Sequence, residues 1–136
     1  MYTDHTLIIK ELERSIKFNN WNSILSFLPK GSYLVGGYIR DIILGRLTKE
    51  VDIDIVVPLN AIEIGKKISD NIGSKFIILD KKREVVRIIL NNIYVDIANQ
   101  VSSSIEGDLC SRDFSINSIA FLFDNKCLVD PLNGLK

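Results

Sequence analysis

Two aspartates, Asp52 and Asp54, stand two positions apart in the segment VDIDIVV. The segment is rich in β-branched residues, which predicts a strand, and side chains two apart on a strand point to the same face. Neighbouring carboxylates repel each other, and a divalent cation relieves that repulsion. Mg²⁺ prefers such oxygen ligands and keeps water or substrate phosphate in its shell. The pair therefore indicates a metal site for phosphoryl transfer. The alternative is a half-exposed strand on which both aspartates simply face water.

A third carboxylate, Asp96, is predicted on a hairpin. The pair Asn91-Asn92 favours a tight turn between the two apolar segments that flank it. A two-residue turn at this point places Arg87 directly opposite Asp96. The pattern leaves two interpretations open: Asp96 is a third metal ligand on a neighbouring strand, or it forms a cross-strand ion pair with Arg87.

Gly36 and Gly37 end a short apolar segment and precede a predicted helix. Glycines let the backbone approach a phosphate closely, and the first turn of a helix offers free N–H donors. Arg40 falls in that first turn, where the helix dipole disfavours a cation unless an anion binds at the same place. The combination predicts a phosphate-binding turn. The alternative is a Gly-Gly turn followed by a solvated arginine.

Periodicity and chain breakers predict the elements that position these residues. Helices are expected over residues 6–18, 20–28, 37–44 and 60–73, with one or two short helices within 107–118. Strands are expected over 33–36, 51–57, 75–79, 84–90, 93–98, 119–123 and 127–129. Asn60 followed by Glu63 predicts a capping box at the start of the fourth helix. Because strands and helices mix without strict alternation, we expect an α+β fold, a mixed β-sheet with helices packed mainly on one face.

Composition narrows the class of protein. The 136 residues fit one domain, and a hydrophobic content of 46% is enough for a core. No apolar run reaches the length of a membrane helix, and Cys110 and Cys127 form no CxxC pair and are expected to be buried thiols. These features predict a cytoplasmic, reduced protein with no membrane partner. The formal net charge of zero predicts no extended basic surface for nucleic acid, although a nucleotide needs only a local cluster of charges.

Three motifs together resemble a known family. The segment LVGGYIRDIILGRLTKEVDIDIVV resembles the signature of class II tRNA CCA-adding enzymes and bacterial poly(A) polymerases. The segment EGDLCSRDFSINSIAF is similar to the second motif of that family, and DPLNG is similar to a third. The motifs occur in the family's order and cover most of residues 31–134, so together they are far more specific than Asp-x-Asp alone.

The resemblance implies a polymerase-β-like nucleotidyltransferase fold. It implies Mg²⁺-dependent, template-independent transfer of a nucleotide from CTP or ATP to the 3′ end of tRNA or another RNA, with release of pyrophosphate. Catalytic metal ligands are implied at Asp52, Asp54 and Asp96. Nucleotide-binding residues are implied at Gly36, Gly37, Arg40, Arg112, Asp113 and Asn117.

The sequence also departs from the family pattern. Ser111 stands where the family usually has the first of two arginines, no arginine follows Asp96 closely, and the stretch 100–106 is shorter than the family's flexible loop. The 136 residues end before the position at which the family has its helical neck. We therefore expect residues 1–136 to be a head domain, with N-terminal helices in 1–29 and a motif-bearing core in 31–134, and with neck, body and tail domains absent.

Such a head alone is expected to bind RNA weakly, and a separate helical chain is one candidate source of the neck and body functions. One alternative function is a non-enzymatic nucleotide-binding module, or a fragment that has lost RNA binding. A weaker alternative is a nucleotidyltransferase of the same fold that modifies a small molecule or a protein.

Overall fold

The computed structural model describes residues 5–18, 21–46, 51–111 and 118–135. The helices are α1 (His5–Phe18), α2 (Asn22–Leu25), α3 (Gly37–Leu44), α4 (Ala61–Ile72) and α5 (Ile105–Cys110). The strands are β1 (Tyr33–Val35), β2 (Val51–Val57), β3 (Lys75–Asp80), β4 (Val85–Leu90), β5 (Ile93–Asn99), β6 (Ala120–Leu122) and β7 (Cys127–Val129). In this part of the chain the strands form a seven-stranded sheet in the order β3-β4-β5-β2-β1-β6-β7.

The sheet is mixed because β2 and β5 run parallel, whereas every other neighbouring pair is antiparallel. Helices α1, α3 and α4 bury apolar side chains in one core on one face of the sheet. On the other face, Leu109 of α5 packs with Tyr33, Val35 and Val56. The expected α+β fold, with helices mainly on one face, is confirmed.

The alternation of β2 explains which face carries chemistry. Ile53 and Ile55 are buried in the main core, with 1% and 2% of their surface exposed. Because successive side chains point to opposite faces, Asp52 and Asp54 lie on the face away from that core. Asp52 is exposed and Asp54 is half-buried. The bounds of β2 and α3 agree with the sequence prediction.

Helix α4 lies unusually close to the sheet. A Cβ atom added to Gly65 would approach Cγ2 of Val86 to 2.5 Å and Cε2 of Phe76 to 3.2 Å. Glycine at this position therefore lets the helix backbone lie directly over β3 and β4. The burial of Ile68 and Ala61 on the same side of the helix anchors it there.

The predicted capping box at the start of α4 is wrong. Asn60 is the N-cap residue, but it adopts a left-handed conformation with φ 66° and makes no side-chain cap hydrogen bond. The first N–H groups of α4 donate instead to side chains from elsewhere in the chain. The Ala61 N–H donates to Oδ1 of Asn99 at 2.9 Å, and the Ile62 N–H donates to Oε1 of Glu84 at 3.3 Å. A capping side chain needs an extended N-cap backbone, which Asn60 does not have.

Two further expectations are corrected. The helix predicted over 20–28 is limited to Asn22–Leu25, because the Phe27 and Leu28 N–H groups donate to carbonyls three residues back as the chain tightens before Pro29. Cys110, expected to be buried, is exposed at the end of α5.

The remaining elements agree with the prediction to within a few residues, apart from the region 112–117, which lies outside the described residues. Among the described helices, none combines the length and the apolar character that a membrane span requires.

Candidate active site

The parallel pairing of β2 with β5 brings the acidic residues together. Asp54 lies directly opposite Asp96, and Asp52 lies opposite Tyr94. Residues that are opposite in neighbouring strands share a face of the sheet, so all three aspartates lie on the face away from the main core. Asp54 and Asp96 are half-buried and Asp52 is exposed, which leaves the group accessible from solvent at the Asp52 side.

Asp96 is held by a two-point ion pair with Arg87 of β4. Nε of Arg87 donates to Oδ1 of Asp96 at 2.8 Å, and Nη2 donates to Oδ2 at 3.0 Å. Both side chains are partly exposed, with 39% and 25% of their surface accessible. The hydrogen bonds and the charge of Asp96 raise the pKa of Arg87 above its ordinary value, with further contributions from Asp52 and Asp54, while burial opposes them. Arg87 therefore lies in the combined field of all three aspartates.

The glycine turn contacts the second aspartate. Strand β1 pairs with β2 so that Val35 lies opposite Asp54, and the chain turns immediately afterwards at Gly36. Gly36 has φ 81° and ψ −145°, a backbone conformation that other residues adopt only with strain. A Cβ atom at Gly36 would lie 2.9 Å from Oδ2 of Asp54. Glycine is therefore required at position 36 for two reasons: the backbone conformation disfavours a side chain, and the Asp54 carboxylate leaves no room for one.

Arg40 folds back toward the beginning of α3. Its Nε donates to Oδ1 of Asp41 at 3.2 Å, and its Nη2 would lie 3.1 Å from a Cβ atom added to Gly37. The guanidinium group therefore lies beside the first turn of the helix, with 37% of the side chain exposed. A cation at this end of a helix is unfavourable by itself and becomes favourable when an anion binds.

The donor set suits a hard divalent cation, because carboxylate oxygens are the ligands that Mg²⁺ prefers. Within the described residues, no three acidic, histidine or cysteine side chains are already gathered around one point. Asp96 directs both oxygens to Arg87. Asp52 and Asp54 therefore fit the first two ligands, and Asp96 would add a third by exchanging Arg87 for the ion.

Helix α5 leads into the second sequence motif. Ser104 caps its start by accepting a hydrogen bond from the Gly107 N–H at 3.0 Å, and Ser111 closes its end by donating through Oγ to the Asp108 carbonyl at 2.6 Å. Leu109 anchors the helix on the face that carries the aspartates. The predicted nucleotide-binding residues Arg112, Asp113 and Asn117 lie outside the described residues.

Of the residues that the sequence singled out, the structure places Asp54 opposite Asp96 and against Gly36, with Asp52 on the same face of β2. Arg40 lies beside Gly37 at the start of α3. The predicted ion pair of Asp96 with Arg87 is confirmed. Asp96 also lies opposite Asp54, and its role as a metal ligand stays a prediction. The contact between Gly36 and Asp54 was not predicted from the sequence. Its signal was the position of the glycine directly after a strand, where the chain must turn past its neighbour.

The chain matches a known protein family over most of its length. The family described as "Poly A polymerase head domain" matches residues 32–136, which is most of the chain. The chain belongs to this family.

Individual relatives are tRNA nucleotidyltransferases. The chain is 38% identical over 127 residues to the CC-adding tRNA nucleotidyltransferase of Synechocystis sp., covering 93% of this chain and 29% of that protein. It is 33% identical over 106 residues to the A-adding tRNA nucleotidyltransferase of Deinococcus radiodurans, covering 78% of this chain and 23% of that protein. The chain thus spans less than a third of the length of these relatives.

Solved structures support the same relationship. A CCA-adding enzyme in complex with ATP superimposes with a TM-score of 0.76 at 29% identity, over 96% of this chain and 33% of that one. A tRNA nucleotidyltransferase complexed with a primer tRNA and an incoming ATP analogue superimposes with a TM-score of 0.66 at 30% identity, over 76% of this chain and 32% of that one. The fold is therefore that of the head domain of CCA-adding enzymes.

Proposed function

We propose that this chain is the catalytic head of a template-independent RNA nucleotidyltransferase, which transfers a nucleotide from CTP or ATP to the 3′ end of a tRNA. The observation that carries the proposal is the juxtaposition of Asp54 with Asp96 on one side and with Gly36 on the other. It joins a candidate metal-binding strand to a candidate phosphate-binding turn.

The proposed cofactor is Mg²⁺, held by Asp52 and Asp54 with Asp96 as the third ligand. When bound, such an ion stabilises the charge that develops on the α-phosphate and on the attacking and leaving oxygens. The aspartates position the ion on a rigid strand whose other face is anchored in the core by Ile53 and Ile55. Until an ion binds, Arg87 compensates the charge of the acidic cluster and holds the Asp96 carboxylate in a fixed orientation.

The proposed triphosphate site is the turn from β1 into α3. Gly36 and Gly37 allow the phosphate chain to approach the backbone, and the first turn of a helix offers N–H donors to its oxygens. Arg40 lies at the same end of the helix and supplies a positive charge where the leaving pyrophosphate develops negative charge. Arg112, Asp113 and Asn117 are proposed to contact the ribose and the incoming nucleotide, on the resemblance to the family alone.

The names of the relatives favour an enzyme over a non-enzymatic nucleotide-binding module, because several add C or A to tRNA. The three acidic residues that chemistry requires are also present. Binding of tRNA is a separate requirement, because tight binding needs many contacts to phosphates. This chain has no excess of basic residues to supply them, since its 17 basic residues are balanced by 17 acidic ones. We propose that RNA binding and choice of base need protein beyond this domain, in the same polypeptide or on a separate helical chain.

The test is nucleotide addition by the isolated chain and by the same chain joined to the remainder of the Synechocystis relative. Each protein is incubated with tRNA, Mg²⁺ and labelled CTP or ATP. We expect slow addition by the chain alone and an increase of at least about 100-fold in the joined protein, because a held 3′-hydroxyl gains effective molarity. The control is the joined protein with Asp52→Asn and Asp54→Asn, which should be inactive.

Rapid and ordered addition by the isolated chain would contradict the requirement for further protein. A joined protein that folds and binds Mg²⁺ and nucleotide, but adds nothing to tRNA, would contradict the proposed enzyme and favour the binding module. Ser111, in place of the family's arginine, would then be the first residue to restore.

A further inference from the structure

Strand β3 forms one edge of the sheet, and its free side is strongly apolar. It pairs only with β4 among the described strands. Three consecutive large residues on it, Ile77, Ile78 and Leu79, keep 43%, 44% and 46% of their surface exposed. An edge strand presents unpaired N–H and C=O groups, and natural proteins usually protect such edges with charges or by covering them. Among the described strands this edge is left unpaired, and its run of exposed apolar side chains lies between two charged residues, Lys75 and Asp80.

A β-bulge determines which residues of β3 share an orientation. Ile77 lies opposite Arg87 and Ile78 opposite Val86, but the next ladder position pairs Asp80 with Val85, so Leu79 has no partner in β4. Because the bulge removes one residue from the alternation, Asp80 has the orientation of Ile77 and Lys75. Phe76 and Ile78 have the other orientation.

With these orientations the edge is complementary to itself. If a second copy pairs antiparallel about a two-fold axis at Ile77, then Ile77 meets Ile77 and Phe76 meets Ile78. The same register brings Lys75 of each copy opposite Asp80 of the other. Opposite residues in an antiparallel pair share a face of the sheet. In this arrangement every paired apolar side chain therefore meets an apolar side chain, and every paired cationic side chain meets an anionic one.

Charge complementarity continues beyond the strand. In the same register the basic turn 81–83, which is exposed, would lie near the residues that follow the carboxyl end of α4 in the other copy. That helix ends at Ile72 with Gly73 as its cap. Carbonyl groups at the end of a helix carry partial negative charge and favour cations.

We propose that β3 is a dimerisation edge, on which two copies of this chain pair antiparallel about Ile77 and continue the sheet from one copy into the other. The proposal does not rest on the proposed function, because it is argued from the edge position of β3 and from its exposed side chains. A six-residue strand buries less than a standard interface, so the dimer is weak, with a dissociation constant on the order of 0.1 mM.

Sedimentation velocity on the whole chain tests the proposal, over concentrations from about 10 μM to about 1 mM, which bracket that constant. We expect a reversible monomer–dimer equilibrium. Ile77→Lys sets two like charges opposite each other and should weaken association about fivefold or more. Leu59→Lys is the matched control, since Leu59 is 68% exposed and lies outside β3, and it should leave association unchanged.

Charge reversal tests the register without disturbing the apolar residues. Lys75→Asp should weaken the dimer, and adding Asp80→Lys to it should restore most of the loss. Unfolding transitions of each variant show whether the monomer is intact, so that a folding defect is not mistaken for lost association. Failure of the double variant to recover would overturn the register.

Cross-linking tests the two-fold axis itself in a Cys110→Ser, Cys127→Ser background. Ile77→Cys should form an intermolecular disulfide, because residue 77 meets itself across the axis. Ile78→Cys is almost equally exposed but meets residue 76, which leaves its own copies about two strand positions apart and beyond disulfide reach. Equal cross-linking by both variants, or a monomer at every concentration, would overturn the proposal.

Discussion

The backbone of Gly36 passes so close to the carboxylate of Asp54 that an added Cβ atom would lie 2.9 Å from Oδ2. The turn that is proposed to bind the triphosphate and the strand that is proposed to bind the metal are therefore in direct contact. A change in the turn must move the carboxylate, and a change at the carboxylate must alter the turn. This contact makes glycine at position 36 a condition for both parts of the site.

Gly36→Ala should both destabilise the protein and impair nucleotide binding. The substitution adds strain at φ 81° and a clash with Asp54, and we expect the free energy of unfolding to fall by about 1–3 kcal/mol. Gly37→Ala is the matched control, because its Cβ would meet the movable end of Arg40 at 3.1 Å. Chemical denaturation compares the two, and equal losses of stability would contradict a special requirement at position 36.

Asp52→Asn should abolish Mg²⁺-dependent binding of ATP or CTP while leaving the fold intact. Asp52 is exposed and lies near two other carboxylates, so its neutralisation relieves like-charge repulsion and should leave the melting temperature equal or higher. Calorimetric titration with nucleotide, with and without Mg²⁺, measures the loss. Asp70→Asn removes an exposed carboxylate on α4 and should have no effect on binding; unchanged binding by Asp52→Asn would remove that residue from the metal site.

Arg87→Met should lower stability in the absence of metal and increase the stabilisation that Mg²⁺ provides. Loss of the two hydrogen bonds leaves the half-buried Asp96 beside Asp54, and we expect a loss of about 1–2 kcal/mol. The same change removes a cation that competes with Mg²⁺ for the aspartates. Thermal unfolding in chelator measures the metal-free stability, and thermal unfolding in Mg²⁺ measures the added stabilisation by the ion.

The control for that experiment is Arg87→Lys, which keeps the charge but loses the planar two-point geometry. Its metal-free stability should lie between those of the wild type and Arg87→Met. If Mg²⁺ stabilises Arg87→Met no more than the wild type, then Arg87 does not compete with the ion and Asp96 is not a ligand.

Arg40→Ala should weaken the binding of ATP or CTP far more than that of the corresponding nucleoside. The guanidinium lies at the start of α3, where the proposed partner is the triphosphate. A charge-assisted hydrogen bond contributes about 1.5–3 kcal/mol, so a loss of roughly tenfold or more in triphosphate affinity is expected. Arg14→Ala on α1, where the side chain is 79% exposed, is the control. Equal losses for triphosphate and nucleoside would mean that Arg40 only supports the fold.

Asn99→Ala should destabilise the start of α4. Asn99 accepts from the Ala61 N–H through Oδ1 and donates through Nδ2 to Oε2 of Glu84 at 2.9 Å. Loss of a capping acceptor costs about 1–2 kcal/mol. Glu63→Ala, at the position of the incorrectly predicted capping box, should change stability by less than about 0.5 kcal/mol because its ion pair with Lys67 is exposed. Similar effects of the two substitutions in equilibrium unfolding would contradict the cross-element cap.

The local sequence pattern determined the exposed face of β2, the register of the β4–β5 hairpin and the family. The alternation of β2 placed Asp52 and Asp54 on the face away from the core, because the period of a strand is a local property. The Asn91-Asn92 turn fixed the pairing of Arg87 with Asp96 for the same reason: a tight turn sets the register of the two strands it joins. The three motifs indicated the family because each is a short run of residue types whose order and spacing are properties of the chain itself.

Only the tertiary structure decided how these parts meet. Asp54 lies opposite Asp96 because β2 and β5, which are far apart in the chain, pair in parallel. No turn joins them, so no local signal sets their register. The contact of Gly36 with Asp54 and the capping of α4 by Asn99 and Glu84 have the same origin. They depend on the packing of separate elements, whereas the sequence specifies the residue types and the local geometry from which those contacts are built.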